Sequence, residues 1–379
     1  MSLLYPNDRH VPRGWRKILY INWPLVLLIT AVAGFGFLML YSLGGGSLDP
    51  WARPQMTRFA LGIVLMFVVA FTPISFWRQA APLIYIGGLL LLLYVLLFGA
   101  VGMGAQRWID LRFIRLQPSE VMKIALVLAL ALYYDWLPQE KVSRPLYVLI
   151  PLVMIGIPSM MVVVQPDLGT AILLVLSGGV MMFLAGVSYW YFAAASSAVV
   201  GTVVSILISR GKEWQLLNNY QYKRIDVFLD PSLDPLGAGY HITQSKIALG
   251  SGGISGRGFM QGPQSQLNFL PEKQTDFIFT TLAEEFGYIG STLLLVLYTL
   301  IMIFSISAAV KNKNRFGALL IGGVAATFFF YFALNMAMVM GLAPVVGVPL
   351  PLVSYGGSAM LVLLGAFGLI QSAHIHRPR

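Results

Sequence analysis

The sequence predicts an all-α polytopic membrane protein with about ten transmembrane helices and one large extracytoplasmic loop between the seventh and the eighth. Three observations lead to this prediction. Of the 379 residues, 58% are hydrophobic and only 11% are charged, whereas soluble domains contain roughly a quarter charged residues. The apolar residues form runs of about 20, the length that crosses a bilayer. The lysines and arginines concentrate in alternate connections between these runs.

The predicted spans follow one another without a second domain, so residues 1–379 form a single membrane domain. Residues 1–17 form a polar, basic N-terminal segment, and the first span behind it is read as retained because no cleavage site follows it. Two long uncharged stretches are each divided into two spans, one at Gly186–Trp190 and one where three prolines follow Gly341. The predicted ranges are Trp23–Leu43, Phe59–Trp77, Pro82–Val101, Pro118–Trp136, Pro145–Val164, two within Leu168–Ser209, one within Phe277–Val310 and two within Phe316–Ala373.

The distribution of basic residues predicts the orientation. With both termini in the cytoplasm, the inner connections hold more lysine and arginine than the short outer ones, as the positive-inside rule requires. The chain is therefore expected to be a multi-pass membrane protein with both termini in the cytoplasm. Residues 210–276 then form the large extracytoplasmic loop.

Several classes of site are excluded by composition. The chain has no cysteine, and its four histidines (His10, His241, His374 and His376) are not at ligand spacing on one helix, so no metal site is predicted. The net charge of +10 is distributed between apolar runs rather than along a stripe. This pattern indicates contact with anionic lipid headgroups and not with nucleic acid.

Two ionisable residues lie within the predicted fourth span. Glu120 and Lys123 are three residues apart, so their side chains share one helix face near its outer end. Ionisable groups inside a membrane usually face a partner or a functional cavity. The pair is therefore either a polar site open to the outside or a structural ion pair, and the two interpretations are compatible.

Three arginines occupy an outer connection, where positive charge is normally sparse. Arg107, Arg112 and Arg115 precede the fourth span. A guanidinium group matches the geometry of phosphate, which makes phosphate binding one interpretation. Contact with lipid headgroups is the other.

Two features of the large loop are ambiguous on sequence alone. Five glycines lie between Gly250 and Gly258, which allows close backbone approach to an anion but is more typical of a flexible loop. Asp276 precedes the eighth span. An aspartate there is commonly a helix N-cap, and the functional alternative is a general base at the membrane surface.

Three segments together resemble one known family. They are GAQRWIDLRFIRLQPSEVMK, QSQLNFLPEKQTDFIFTTLAEEFGYIG and NMAMVMGLAPVVGVPLPLVSYGGSA. They are similar to the SEDS family (shape, elongation, division and sporulation) of peptidoglycan glycosyltransferases, and the resemblance covers nearly the whole chain. The form QSQLNFLPE and the short tail after Gln371 are closer to the members that act in rod-shape elongation than to the division members.

The resemblance implies an inverting glycosyltransferase that polymerises lipid II, a disaccharide-pentapeptide on undecaprenyl pyrophosphate, at the outer face of the membrane. It implies that Asp276 is the catalytic base. Arg107, Glu120 and Lys123 match its substrate-binding residues, and Lys273 and Ser354, which lie in the second and third segments, are further candidates. A divalent cation (Mg²⁺ or Mn²⁺) is left open as a cofactor. The implied partners are the elongation machinery and a class B penicillin-binding protein, a transpeptidase.

Two other functions remain open from the sequence. A lipid II flippase would carry polar residues near the membrane midplane and broken helices, whereas the charges here cluster at one surface. A noncatalytic scaffold would not account for the charged residues in the fourth span.

Overall fold

The computed structural model describes residues 14–102, 105–110, 115–212, 214–216, 218–234, 237–267 and 272–377. Residues 1–13 of the predicted cytoplasmic segment, and Arg112, lie outside these ranges. The helices are α1 Trp23–Leu43, α2 Ala52–Phe71, α3 Ile74–Phe98, α4 Pro118–Trp136, α5 Pro145–Val164, α6 Leu168–Leu184, α7 Tyr189–Ser209, α8 Asn219–Leu229, α9 Ala238–Ser251, α10 Pro263–Gln266, α11 Ile278–Val310, α12 Arg315–Val339 and α13 Gly357–Ile375.

The fold class is confirmed. In the described part of the chain, nine helices are long and apolar enough to cross a membrane: α1–α3, α5–α7 and α11–α13. The tenth predicted span is α4, which has the same length but carries three charged residues, Glu120, Lys123 and Asp135. Thirteen of the 19 residues of α4 are buried, and they include Glu120 and Lys123. Asp135 is the penultimate residue of the helix.

The predicted boundaries of the second and third spans are wrong. Helix α2 begins at Ala52 rather than at Phe59 because its arginines have partners: Arg53 pairs with Asp49 at 3.2 Å, and Arg58 lies over the ring of Tyr355 at 4.7 Å. Helix α3 begins at Ile74, so Pro82 lies inside it rather than at its start. Neighbouring helices in a membrane bundle can satisfy the backbone groups that an internal proline frees.

Helices α4 and α12 form the centre of the bundle. Helix α4 packs against α3, α6 and α12, and α12 packs also against α11, α6 and α13. Helix α2 lies along α13, and α1 packs against α11. Helix α7 is the opposite case, because Ser209 is the one buried residue among those described in it. Its apolar surface faces outward, as expected for contact with lipid.

A small antiparallel sheet, which the sequence did not predict, packs against α4 and precedes its N-terminal end. It consists of β1 Ala100–Gly102, β2 Ala105–Asp110 and β3 Arg115–Leu116, in the order β1-β2-β3. The large loop is also structured. It contains α8, α9 and α10, and α9 and α10 both pack against α11.

Candidate active site

The site begins with the ion pair on α4. Lys123 Nζ donates to Glu120 Oε1 at 2.7 Å, and both side chains are buried, Lys123 with 1% of its surface exposed. Tyr331 on α12 donates from its hydroxyl to Glu120 Oε2 at 2.5 Å, and its ring lies 4.0 Å from Lys123 Nζ. Both carboxylate oxygens of Glu120 are therefore bonded. The predicted pairing of Glu120 with Lys123 is observed.

A cavity opens beside this pair. Glu120, Lys123 and Ser354 line it together with Thr327, Tyr331 and Gly356. The predicted pair Glu120 and Lys123 thus meets at one cavity with Ser354, a predicted site residue more than 200 positions later in the sequence.

Helix α12 connects the pair to the segment of Asp276. Asn335 lies four residues after Tyr331, which is one turn or about 6 Å along a helix. Its Nδ2 donates to the backbone carbonyl of Asp276 at 2.8 Å and to that of Val348 at 2.7 Å. Tyr331 therefore holds the ion pair, and Asn335, one turn away, holds the Asp276 segment.

Ser354 fastens the Asp276 segment to the connection between α12 and α13. Its hydroxyl donates to the Thr275 carbonyl at 2.5 Å and accepts from Leu350 N at 2.7 Å. Tyr355 N donates to the Gln274 carbonyl at 2.8 Å. The visible role of Ser354 is to position residues 274–276, and its predicted role in substrate binding stays a prediction.

Asp276 is not the N-cap of α11. The N-cap is Phe277, and no side chain caps this helix end. The Asp276 carboxylate is partly buried, with Oδ2 near Gly347. This burial and, secondarily, the negative charge of Glu272 raise the pKa of Asp276 to about 6, against a smaller opposing effect of a hydrogen bond from Thr275. A carboxylate with such a pKa is mostly ionised at neutral pH and is a stronger base than an ordinary aspartate.

Backbone strain accompanies this site. Glu272 and Leu352, on the two segments that are fastened together, have φ angles of +53° and +66°. Non-glycine residues in the left-handed region are uncommon and concentrate at functional sites. The conformation of this corner is therefore held by its tertiary bonds.

Two predicted basic residues do not line the cavity and instead bind backbone carbonyls. Arg107 on β2 donates through Nε to the Gln165 carbonyl at 3.1 Å and through a second nitrogen to the Pro166 carbonyl. Lys273 donates to the Ser265 carbonyl at 2.6 Å, and burial lowers the pKa of its ammonium group. Both currently bind backbone carbonyls, and their predicted contact with substrate stays a prediction.

The described residues offer no ready-made metal site. They contain no group of three or more histidine, cysteine, aspartate or glutamate side chains that could hold an ion.

The sequence interpretation missed the residues that organise the site. The sequence does not predict a role for Tyr331 or Asn335, because polar residues in an apolar run carry no local signal of their partners. Asp167 was also missed, although it is buried, caps α6 and accepts from Gln117 Nε2 at 2.9 Å. The four-residue spacing of Tyr331 and Asn335 was the one available signal that they share a helix face.

The glycine-rich segment has a structural role. Arg257 N and Gly258 N donate to the carbonyls of Glu284 and Glu285 on α11, at 2.9 and 3.1 Å. Gly256 has a φ of +84°, and a Cβ there would lie 2.0 Å from the Glu285 carbonyl oxygen. These two N–H groups are thus occupied by a helix rather than available to an anion.

Comparison with known proteins gives a consistent result. Residues 23–379 match the family of cell cycle proteins that comprises FtsW, RodA and SpoVE. The chain is 43% identical over 366 residues to the peptidoglycan glycosyltransferase MrdB of Escherichia coli K12, covering 96% of this chain and 95% of MrdB.

Solved structures show the same fold. A chain of a peptidoglycan synthase complex matches with a TM-score of 0.80 at 29% identity, covering 94% of this chain and 98% of that chain. The rod shape determining protein RodA of Thermus thermophilus matches with a TM-score of 0.70 at 26% identity, covering 95% and 98%. The resemblance seen in the sequence is confirmed, and the chain belongs to the FtsW, RodA and SpoVE family.

Proposed function

We propose that this chain polymerises lipid II into glycan strands at the outer face of the cytoplasmic membrane during rod-shape elongation, with Asp276 as the general base. Membership of the family and the 43% identity to a protein named peptidoglycan glycosyltransferase make it a glycosyltransferase. Its membrane-spanning helices provide the surroundings for a lipid-linked substrate.

The observation that carries the role of Asp276 is the combination of its position and its pKa. The carboxylate does not cap α11, and its pKa is about 6. General bases work best when their pKa lies near the working pH. In the proposed reaction, Asp276 accepts the proton of the acceptor sugar hydroxyl as that oxygen attacks the anomeric carbon of the donor. The bond from this carbon to the pyrophosphate breaks, and a single displacement inverts the configuration.

The cationic groups would stabilise the departing pyrophosphate. Negative charge grows on this group as the bond breaks, and donors that are already oriented stabilise it without reorganisation. Lys123 lines the cavity, and Arg107 and Lys273, which bind backbone carbonyls in the structure, are further candidates. Because Glu120 and Tyr331 fix the position of Lys123, Glu120 acts on the substrate through Lys123 in this proposal.

A direct test is polymerisation of labelled lipid II by the purified chain. We expect glycan strands whose formation depends on Asp276. If the wild-type chain, alone and with its transpeptidase partner, released no undecaprenyl pyrophosphate and formed no strands, the proposal would be wrong.

One observation favours the alternative of a lipid II flippase. Helix α11 is interrupted at Gly287 (φ +64°, ψ −156°), and broken helices are common in transporters. An assay with labelled lipid II in sealed vesicles distinguishes the two functions. A flippase moves labelled lipid II between leaflets without consuming it, whereas a polymerase converts outward-facing lipid II with no need for translocation.

We also propose a class B penicillin-binding protein as partner, bound along the exposed faces of α11 and α12. Support comes from the similar chain found in a peptidoglycan synthase complex. Helix α11 exposes Leu293 and Val296, at 49% and 47% of their surface. The glycines of α12 are a poorer candidate surface, because Gly323 packs against Met181 and Val127 of the same chain.

Bulky substitutions test this surface. Replacing Leu293 and Val296 together by Trp should reduce co-purification with the transpeptidase several-fold, because flat helix contacts in lipid depend on close packing. The matched control is Leu152→Trp on α5, a residue exposed to a similar extent (50%) on a helix that packs against α6, α3 and α4. Equal co-purification of both variants would exclude this face.

A further inference from the structure

Helix α11 consists of two helical pieces. Residues 278–286 form a short segment that begins two residues after Asp276, and the longer membrane helix follows Gly287, whose φ of +64° and ψ of −156° interrupt the turn. Asp276 therefore lies just before the short segment. Continuous helical hydrogen bonds do not join this segment to the longer helix.

The glycine-rich residues 252–258, here called the strap, replace the missing helical bonds. The strap donates from Arg257 N and Gly258 N to the carbonyls before the break, and the carbonyls of Gly253 and Ile254 accept from Tyr288 N and Ile289 N after it, at 2.9 and 3.1 Å. The backbone groups freed by the interruption are thus satisfied from another part of the chain.

Two neighbouring glutamates anchor the short segment, and their surroundings differ. Glu284 is fully buried and accepts three hydrogen bonds: from Gln264 N at 2.8 Å, and from Ser265 N and Ser265 Oγ at 3.0 and 2.6 Å. Both oxygens of the Glu284 carboxylate are thus occupied by donors at the start of α10.

Glu285 is also buried, with 1% of its surface exposed, and the backbone N–H of Met260 lies close to its carboxylate, but its second oxygen, Oε2, has no hydrogen-bond partner of normal geometry. Its Oε1 bonds the hydroxyl of Ser42, the penultimate residue of α1. The C-terminal end of a helix carries partial negative charge, so an ionised carboxylate there is repelled. The adjacent Glu284 carboxylate adds to this repulsion.

The described residues supply no compensating positive charge. Neither α1 nor α10 contains a charged residue. The Arg257 side chain is exposed, and the Lys273 ammonium is bonded to the Ser265 carbonyl. The other titratable side chains of the helices that pack against α11 lie elsewhere. Lys246 lies at Gly341, and Tyr331 binds Glu120. His241 is on α9, Arg315 is the first residue of α12, and His374 is in the last turn of α13. No described ion pair involves Glu285.

We propose that Glu285 is a positioning residue that is held as the neutral carboxylic acid, and that with Glu284 it fixes the short segment that follows Asp276. The proton removes the charge that would otherwise oppose the end of α1. Ionisation of Glu285 at alkaline pH would push the segment away from α1 and displace Asp276. The positioning role rests on the proposed function of Asp276, whereas the protonation state of Glu285 does not.

The test compares the same substitution at the two neighbours. Glu285→Gln keeps a neutral, hydrogen-bonding side chain, so the melting temperature and the neutral-pH rate of lipid II polymerisation should stay near those of the wild type. Glu284→Gln places an amide NH₂ against backbone donors, which leaves buried groups unpaired. It should lower the melting temperature by several degrees.

The pH dependence of the polymerisation rate at alkaline pH distinguishes a neutral Glu285 that positions Asp276 from a merely structural Glu285. The wild-type rate should fall at alkaline pH as Glu285 ionises, and the Glu285→Gln variant should keep its rate further into the alkaline range. An unchanged alkaline limb in this variant, or equal destabilisation by the two substitutions, would overturn the proposal.

An infrared difference spectrum tests the proton without requiring activity. At about pH 8, where Asp276 with its pKa of about 6 is ionised, the wild type should show a protonated-carboxyl band that Glu285→Gln removes and Asp276→Asn retains. Loss of activity in Asp276→Asn together with this band would support both proposals. If the band is absent from the wild type, the neutral-acid proposal is wrong, while the role of Asp276 is unaffected.

Discussion

Glu120 and Asp276 are two acids linked to α12 one turn apart, through Tyr331 and Asn335, and their surroundings give them different roles. Glu120 is buried with both oxygens bonded, one by an ammonium group and one by a phenol. Asn335 binds the backbone carbonyl of Asp276, and the Asp276 carboxylate has a hydrogen bond from Thr275 and lies near another acid, Glu272. A fully bonded carboxylate orients its neighbours, whereas a carboxylate without a cationic partner can accept a proton. In the proposed function, the environment of each acid, rather than its type, therefore assigns the role of base to Asp276 and a positioning role to Glu120.

The largest expected effect distinguishes Asp276 from the other loop acids. Asp276→Asn should lower the rate of lipid II polymerisation by about a hundred- to ten-thousand-fold, the usual contribution of a general base. The melting temperature should hardly change, because the side chain does not cap α11. The control is Asp226→Asn, which removes one partner of the exposed Arg210 ion pair and should leave the rate within a few-fold. Activity near wild type in Asp276→Asn would move the search for the base to Glu120.

The second effect tests whether the Glu120–Lys123 pair holds the bundle together. Lys123→Met leaves Glu120 buried without a counter-charge, and removing one partner of a buried pair typically costs about 3–5 kcal/mol of unfolding free energy. The double variant Glu120→Gln with Lys123→Met removes both charges and should recover much of that stability in a thermal melt. Both variants should lose activity, because the cavity loses its ammonium group. A double variant that is as unstable as the single one would show that the charges are not coupled.

The smallest effect concerns the acid limb of the pH profile. Because the pKa of Asp276 is raised to about 6, its base form is present above that pH and is lost as the pH falls. The rate should therefore decline below about pH 6 by up to about tenfold per unit. Glu272→Gln removes the charge that contributes to the raised pKa, so this limb should move to lower pH by a fraction of a unit, since burial is the larger cause.

The matched control for this shift is Glu140→Gln, an exposed acid in the connection between α4 and α5. It should leave the acid limb in place. A limb that moved equally in both variants would indicate a change in overall charge and not a local effect on Asp276.

Most of the membrane architecture could be predicted from the sequence, because a bilayer imposes a simple rule. About 20 apolar residues cross it, and the bounds of α1, α4 and α5 agree with the predicted spans. The start of α2 could not be found in this way, since Arg53 and Arg58 lie within the helix and are paired by Asp49 and Tyr355. The partner of Arg58, Tyr355, comes from a distant part of the chain and leaves no local pattern.

Helix periodicity and hydrophobicity were sufficient to predict the fold class and the position of Glu120 and Lys123 on one helix face, and the resemblance to a family predicts a catalytic role for Asp276. The tertiary structure was needed to show that Asp276 is not a helix cap, that Asn335 and Ser354 hold its segment, and that the strap completes an interrupted helix. The physical reason is the range of the interactions. Helix periodicity and hydrophobicity are local properties that can be read along the chain, whereas burial, hydrogen-bond partners and the resulting pKa depend on residues tens to hundreds of positions away.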